Sequence, residues 1–444
     1  MLNDIYGCPV STRSHEALQH FNNALPLIRT FHGDPVAPLD RSLEADPQFG
    51  LAWITRAILM AQATDRLYLD EVRRSLRAAE ACDLDTRERA HFAASLAWAQ
   101  GRLHDSTSAF GRIAQEAPRD LLALQNAHGG CFFTGRQFEL RDWPLQAIRA
   151  FGEGDEGRHA VLGMAAFGLE ECGDYARAFD LGVAAVELEP LDAWAVHAVA
   201  HVHEMRGDIG AGEAWLTATA PGWAADCGFA YHNWWHLALL HIDAQDHDKA
   251  LALYDQRIRP DASTQIVLEM LDASALLWRL HLEGVDVGDR FNPLADAWLQ
   301  KTAGHYAFND LHAVMALAGA GRFREAEAVR ASMRRSLDAG GDNEAMTADV
   351  GLPLVDAFIA FAAGRNADAL ERILRVRGIA QRFGGSHAQR DVLSLTAVTA
   401  AIRGGFRATA EGLSAERLAH KPQSPWAQRL WREAGRSGLA QAAE

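Results

Sequence analysis

The chain has 444 residues, 49% of them hydrophobic and 23% charged, with a net charge of −15 and a pI near 5.7. That supply of apolar residues can bury a large core, and the acidic balance argues against nucleic-acid or anionic-membrane partners, which select a basic face. The opening MLNDIYGCPVSTRSHEAL has no basic stretch followed by an apolar core, and the five scattered cysteines contain no C-x-x-C pair, so a reduced, cytoplasmic protein without membrane association is expected.

In chain order, nearly every segment reads as a helix punctuated by Gly, Asp or Pro, and no alternating apolar run suggests a strand. The first third holds imperfect pairs. In PVAPLDRSLEADPQFGLAW, Asp46-Pro47 ends a helix, and helices are expected around Arg66–Ala81 and Thr86–Gln100. The middle is more regular, with helices predicted over Leu121–Thr134, His159–Cys172, Asp174–Leu188, Ala193–Arg206 and Ile209–Thr219. The segment APGWAADCG reads as an insertion, after which Phe229–Asp243 and Asp246–Arg257 resume the pattern. Later pairs surround Gly321, Gly364 and Gly404-Gly405, and Gly340–Asn343 is the most linker-like stretch.

Gly101, Gly135, Gly173 and Gly207 lie 34, 38 and 34 residues apart, each closing a helical segment. GRLHDSTSAFGRIAQEAP and GDYARAFDLGVAAVELEP are two such copies, each running from its Gly to a terminal Pro. This spacing is that of tetratricopeptide repeats. The expected fold is therefore all-α, a right-handed superhelix of tetratricopeptide-like hairpins running through residues 1–444 as one body. Residues 1–100 would form divergent N-terminal repeats, 101–260 the most regular ones, and 261–444 divergent repeats and a cap.

In such a repeat the first helix lines the concave face, and residues three or four apart share it. Counting the closing Gly207 as position 15 places Trp194, His197, His201 and Glu204 on one inward stripe, with His203 turned away. The next inward helix, YHNWWHLALLHID, carries His232 and His236 four residues apart, and Gln245 takes the place of its closing Gly. Asn126 and His128 in one repeat, and Asn309, Asp310 and His312 in another, add polar groups at similar height.

Two histidine pairs at i, i+4 can bind a metal through their ring nitrogens, with Glu204 as a further ligand or a general base. The order His-x-His-Glu is not the H-E-x-x-H zinc motif, however. The same histidines could instead bond one another and line a pocket, or act as metal-free acids and bases. Trp223, Trp234, Trp235, Trp278 and Trp298 read mainly as packing between repeats. In GGSHAQRDVL, Arg390 would either clamp an anion or form a salt bridge at a helix start. No phosphate loop, G-x-S-x-G elbow or kinase signature is present.

AHGGCFFTGR, VAHVHEMRGDIGAGEAWL, YHNWWHLALLHID, DASALLWRLHLEG, FNDLHAVMALAGAGR and HAQRD together resemble the tetratricopeptide repeat protein 38 family, over roughly residues 10–430. The resemblance implies a full-length helical superhelix with a polar interior, and no particular reaction. Its motifs fall on His128, His201, Glu204, His232, Asn233, His236, Asp272, Asn309, Asp310, His312, His387, Arg390 and Asp391.

Two functions are expected from these residues. The first is a binding protein whose His-rich interior takes a small molecule or short peptide through His128, His197, His232, Asn233, Asp272, Asn309, Asp310, His312, His387 and Arg390. The alternative is a hydrolase or lyase in which His201, Glu204 and His236 do the chemistry, with a divalent metal as the cofactor the cluster would accommodate. A divergent repeat end is also compatible with a homodimer.

Overall fold

Local chemistry sets the helix ends. Ser14 accepts from Ala17 N, Asp120 from Ala123 N and Asp246 from Lys249 N, while Asp85 with Glu88 and Ser386 with Gln389 form complete capping boxes. At the other ends Gly101, Gly135, Gly173 and Gly207 take positive φ, between 68° and 81°, which a side chain would resist. Gln245 does take that conformation, at φ 65°. Its amide bonds Ile242 O and Glu283, compensating part of the strain.

The computed structural model describes residues 2–436 and is all-α apart from one small hairpin, in which Leu2–Asn3 pairs antiparallel with Pro9–Val10. That hairpin was not expected. It is too short to show a strand period, and side-chain bonds fix it: Asp4 Oδ1 accepts from Tyr6 N and Cys8 N, and Arg87 binds both Asp4 and Pro9 O.

Leu121–Thr134 and Ala193–Arg206 are helices with the expected bounds, and most others differ by a residue or two. Two expectations need correction. APGWAADCG is no simple insertion, because the helix beginning at Ile209 runs through Pro221 to Trp223. Pro-Gly reads as a breaker, yet Gly222 serves packing: a Cβ there would lie 2.0 Å from Pro190 O. The expected helix Asp246–Arg257 divides into an α-helix, His247–Leu253, and a π-turn, Tyr254–Ile258.

The chain forms two compact units. The first comprises residues 1–199 and 218–230, and its core includes Phe21, Phe49, Phe110 and Phe167. The second comprises, among the described residues, 200–217 and 231–436, with Trp235, Trp278, Phe358 and Phe383 fully buried. Each such aromatic stabilises its unit by about 1.5–3 kcal/mol through burial. The stretch Asp342–Ala362 is long and apolar enough to cross a membrane, but 61% of its apolar window is buried inside the protein, as in a core helix. None of the five cysteines forms a disulfide.

Candidate functional site

The polar centre of the second unit is built from three helices. Ala193–Arg206 contributes His201 and Glu204, three residues apart and so on one face. Ala230–Asp243 contributes His232 and His236, one turn apart, and Val267–Leu282 contributes Asp272. All five side chains are buried, His201 and His236 completely.

Each of two histidines is backed by a carboxylate. His236 Nδ1 donates to Glu204 Oε2 at 2.8 Å, and His232 Nδ1 donates to Asp272 Oδ2 at 2.7 Å. A carboxylate only accepts, so the proton sits on Nδ1 and Nε2 carries the lone pair. The ring centres of His201 and His236 are 4.5 Å apart, and those of His232 and His236 4.9 Å. Two imidazoles bound to one zinc ion would have their centres about 4.5 Å apart at a right angle and about 5.1 Å apart at the tetrahedral angle, given Zn–N bonds of about 2.0–2.1 Å. His201, His232 and His236 each offer a ring nitrogen, all within 4.8 Å of one another. The geometry suits one shared cation.

The electrostatics agree. Burial pushes His236 well below the ordinary imidazole value, and the neighbouring His201 and His232 push it the same way, so it is neutral and able to ligate. Burial raises the Asp272 carboxyl, and the contact with His232 opposes that rise. Trp235 stacks on His232 at 5.3 Å and 15°, meets His236 edge-on, and lies under the Arg279 guanidinium, 5.3 Å from its ring centre. Arg279 is fully buried and donates to the carbonyls of Ala275 and Ala388. Burial lowers its pKa to about 10, so it stays charged at neutral pH.

Other expected site residues are held locally. Asn233 and Asn309 are buried in their helices. Both oxygens of Asp310 accept from Gly304 N, at 3.0 and 3.1 Å. His312 Nδ1 donates to Phe308 O at 2.8 Å, and burial lowers its pKa to about 4. His387 opens the helix His387–Arg403, Arg390 donates to Gly385 O, and Asp391 pairs with both terminal nitrogens of Arg417 at 2.6 and 3.0 Å. At Arg390 and Asp391 the structure therefore shows helix-start and ion-pair bonds. The Cβ of His203 lies against Gly212 of the helix Ile209–Trp223.

His197 stands one turn before His201, in the stretch of helix that belongs to the first unit. There it packs among Phe167, Trp194 and Phe229, at ring-centre distances of 5.3, 4.9 and 5.2 Å. His128 also belongs to the first unit, against Phe167 and Trp194. Sequence reasoning missed Arg279, Arg417 and Lys421. Lys421 had one signal, since it is one of only three lysines among 43 basic residues. No family model matches the chain.

Proposed function

We propose that this protein is a solenoid of tetratricopeptide-type hairpins carrying a divalent transition metal on His201, His232 and His236, and that it uses the ion to hydrolyse or cleave a small polar substrate. One observation carries the reading: a carboxylate holds Nδ1 of His236 and another holds Nδ1 of His232. Metal-ligating histidines characteristically donate their second N–H in this way, which fixes the tautomer and raises ligand basicity.

When bound, the ion would supply a water molecule ionised near neutral pH and would polarise a substrate oxygen. The chain's own part is to hold the histidines aimed, through Glu204 and Asp272, and to wall the site with Trp235.

The test uses protein purified without a histidine tag. Elemental analysis should find about one Zn, Mn, Fe or Co per chain, and His236→Ala should weaken metal binding more than tenfold. A strong chelator should lower the melting temperature, because bound metal stabilises the native state alone. Protein that neither contains nor takes up these metals would refute the centre. Metal without metal-dependent turnover on ester, amide and phosphate panels would refute the catalytic half alone. X-ray absorption on the wild type counts the nitrogen ligands.

A further inference from the structure

Resting on that metal centre, we infer that Lys421 is a positioning residue for it: its ammonium holds one oxygen of Glu204, so that the other oxygen stays on His236. Lys421 Nζ lies 3.8 Å from Glu204 Oε1, while Glu204 Oε2 accepts from His236 Nδ1 at 2.8 Å. Both side chains are buried, at 7% and 6% exposure. The separation exceeds a hydrogen bond, so the lysine acts as a charge rather than a donor of fixed direction.

The local fold explains how a residue near the end of the chain reaches this place. Lys421 opens a turn between the helices Arg407–His420 and Pro425–Arg436. Its backbone closes both sides of the turn, since Lys421 N donates to Arg417 O and Lys421 O accepts from Ser424 N. Ser424 Oγ caps the following helix through Ala427 N and donates to Asp243, the last residue of the helix carrying His232 and His236. The turn also lies against Gly207, which directly follows the helix carrying His201 and Glu204. A Cβ on Gly207 would stand 3.7 Å from Ser424 N and 3.9 Å from the Cβ of Lys421. The turn is thus seated on the ends of both helices that would bind the ion.

Arg279 and Arg417 also bring positive charge near Glu204, but their direct bonds go to other groups. Arg417 pairs with Asp391 through two nitrogens, and Arg279 donates to backbone carbonyls. Among the described residues Lys421 forms its ion pair with Glu204, and its charge also acts on Asp391. A carboxylate without that charge on its far oxygen can rotate off the imidazole, and the imidazole then loses the partner that fixes its Nδ1 proton. The chain has three lysines, and this is the only buried one among the described residues.

Direct repulsion gives the opposite sign, which makes the idea testable. Were Lys421 merely a nearby positive charge, removing it would tighten metal binding. As a positioning residue, removing it weakens binding. Zinc affinity would be measured by chelator competition on the full chain, for wild type, Lys421→Met, Glu204→Gln and the double variant, with Co(II) absorption spectra alongside. Lys421→Met should weaken zinc roughly tenfold and alter the Co(II) bands, while Lys421→Arg, which keeps the charge, should weaken it less. In the Glu204→Gln background Lys421→Met should change almost nothing, because its effect passes through Glu204. Unchanged or tighter binding, or additive effects in the double variant, overturns the inference. If Lys421→Met does not fold, Lys421→Gln serves the same comparison. A wild type that binds no metal is a failure of the centre itself, and so is distinguishable.

Discussion

Asp310 shows how much a single buried carboxyl changes with pH. Burial raises its pKa to about 7 against an ordinary value of 3.8, and the Gly304 N–H opposes only part of the rise. The folded protein therefore keeps this proton across a range where the unfolded chain has released it. Native protein binds more protons there, so this group's contribution to stability falls as pH climbs from about 4 to 7. Asp310→Asn should flatten that part of the profile and be the more stable form at pH 8, by on the order of 1–3 kcal/mol. Urea titrations of both proteins at pH 5 and pH 8 would show it, and parallel behaviour of the two would count against the assignment. At this scale the sequence was partly legible. Helical spacing placed His201 with Glu204 and His232 with His236, because a shared face follows from the residue period alone. It did not show that Glu204 binds His236 or that Asp272 binds His232, since those bonds join different helices. Lys421 arrives from farther still and left only its rarity as a clue.

Among the helices, two glycines play opposite parts. Gly168 lies within Arg158–Glu171, where a Cβ would come 2.4 Å from both Arg141 Cα and Leu140 O of the helix Gln137–Ala147. Backbone cannot yield as a side chain can, so the residue sets how closely those helices approach. Gly168→Ala should cost about 1–3 kcal/mol, read as a lower urea midpoint. Gly210, in Ile209–Trp223, has open space where a Cβ would go and no positive φ. Gly210→Ala should stabilise by about 0.4–1 kcal/mol. If both variants shift the midpoint alike, helix propensity rather than close packing governs Gly168. Helix positions were the most legible feature of the sequence, because caps, Gly turns and periodic apolar residues agree. The failures at APGWAADCG and Asp246–Arg257 arose where a tertiary contact or a π-turn overrides the local signal.

On the scale of the whole molecule, residues 218–230 belong to the first unit although residues 200–217 belong to the second. Their attachment is specific. Phe229 stacks on Phe31 at 5.1 Å and contacts Trp194 at 5.5 Å, Gly228 N donates to Phe31 O, and Gly33 N donates to Asp226 O. A fragment of residues 1–199 lacks all of these partners. It should bind a hydrophobic dye and melt below a fragment of residues 1–230, whereas equal melting would mean that the returning segment adds nothing. This interleaving was invisible in the sequence, where a regular run of repeats shows no reason to divide at Val199. It also bears on how such a protein can diversify. Because the chain leaves the first unit, comes back and leaves again, a crossover within residues 200–230 hands one descendant an incomplete first unit. Exchange of whole halves between related genes is thereby disfavoured, and new properties should accumulate through point substitutions within an intact parental pairing.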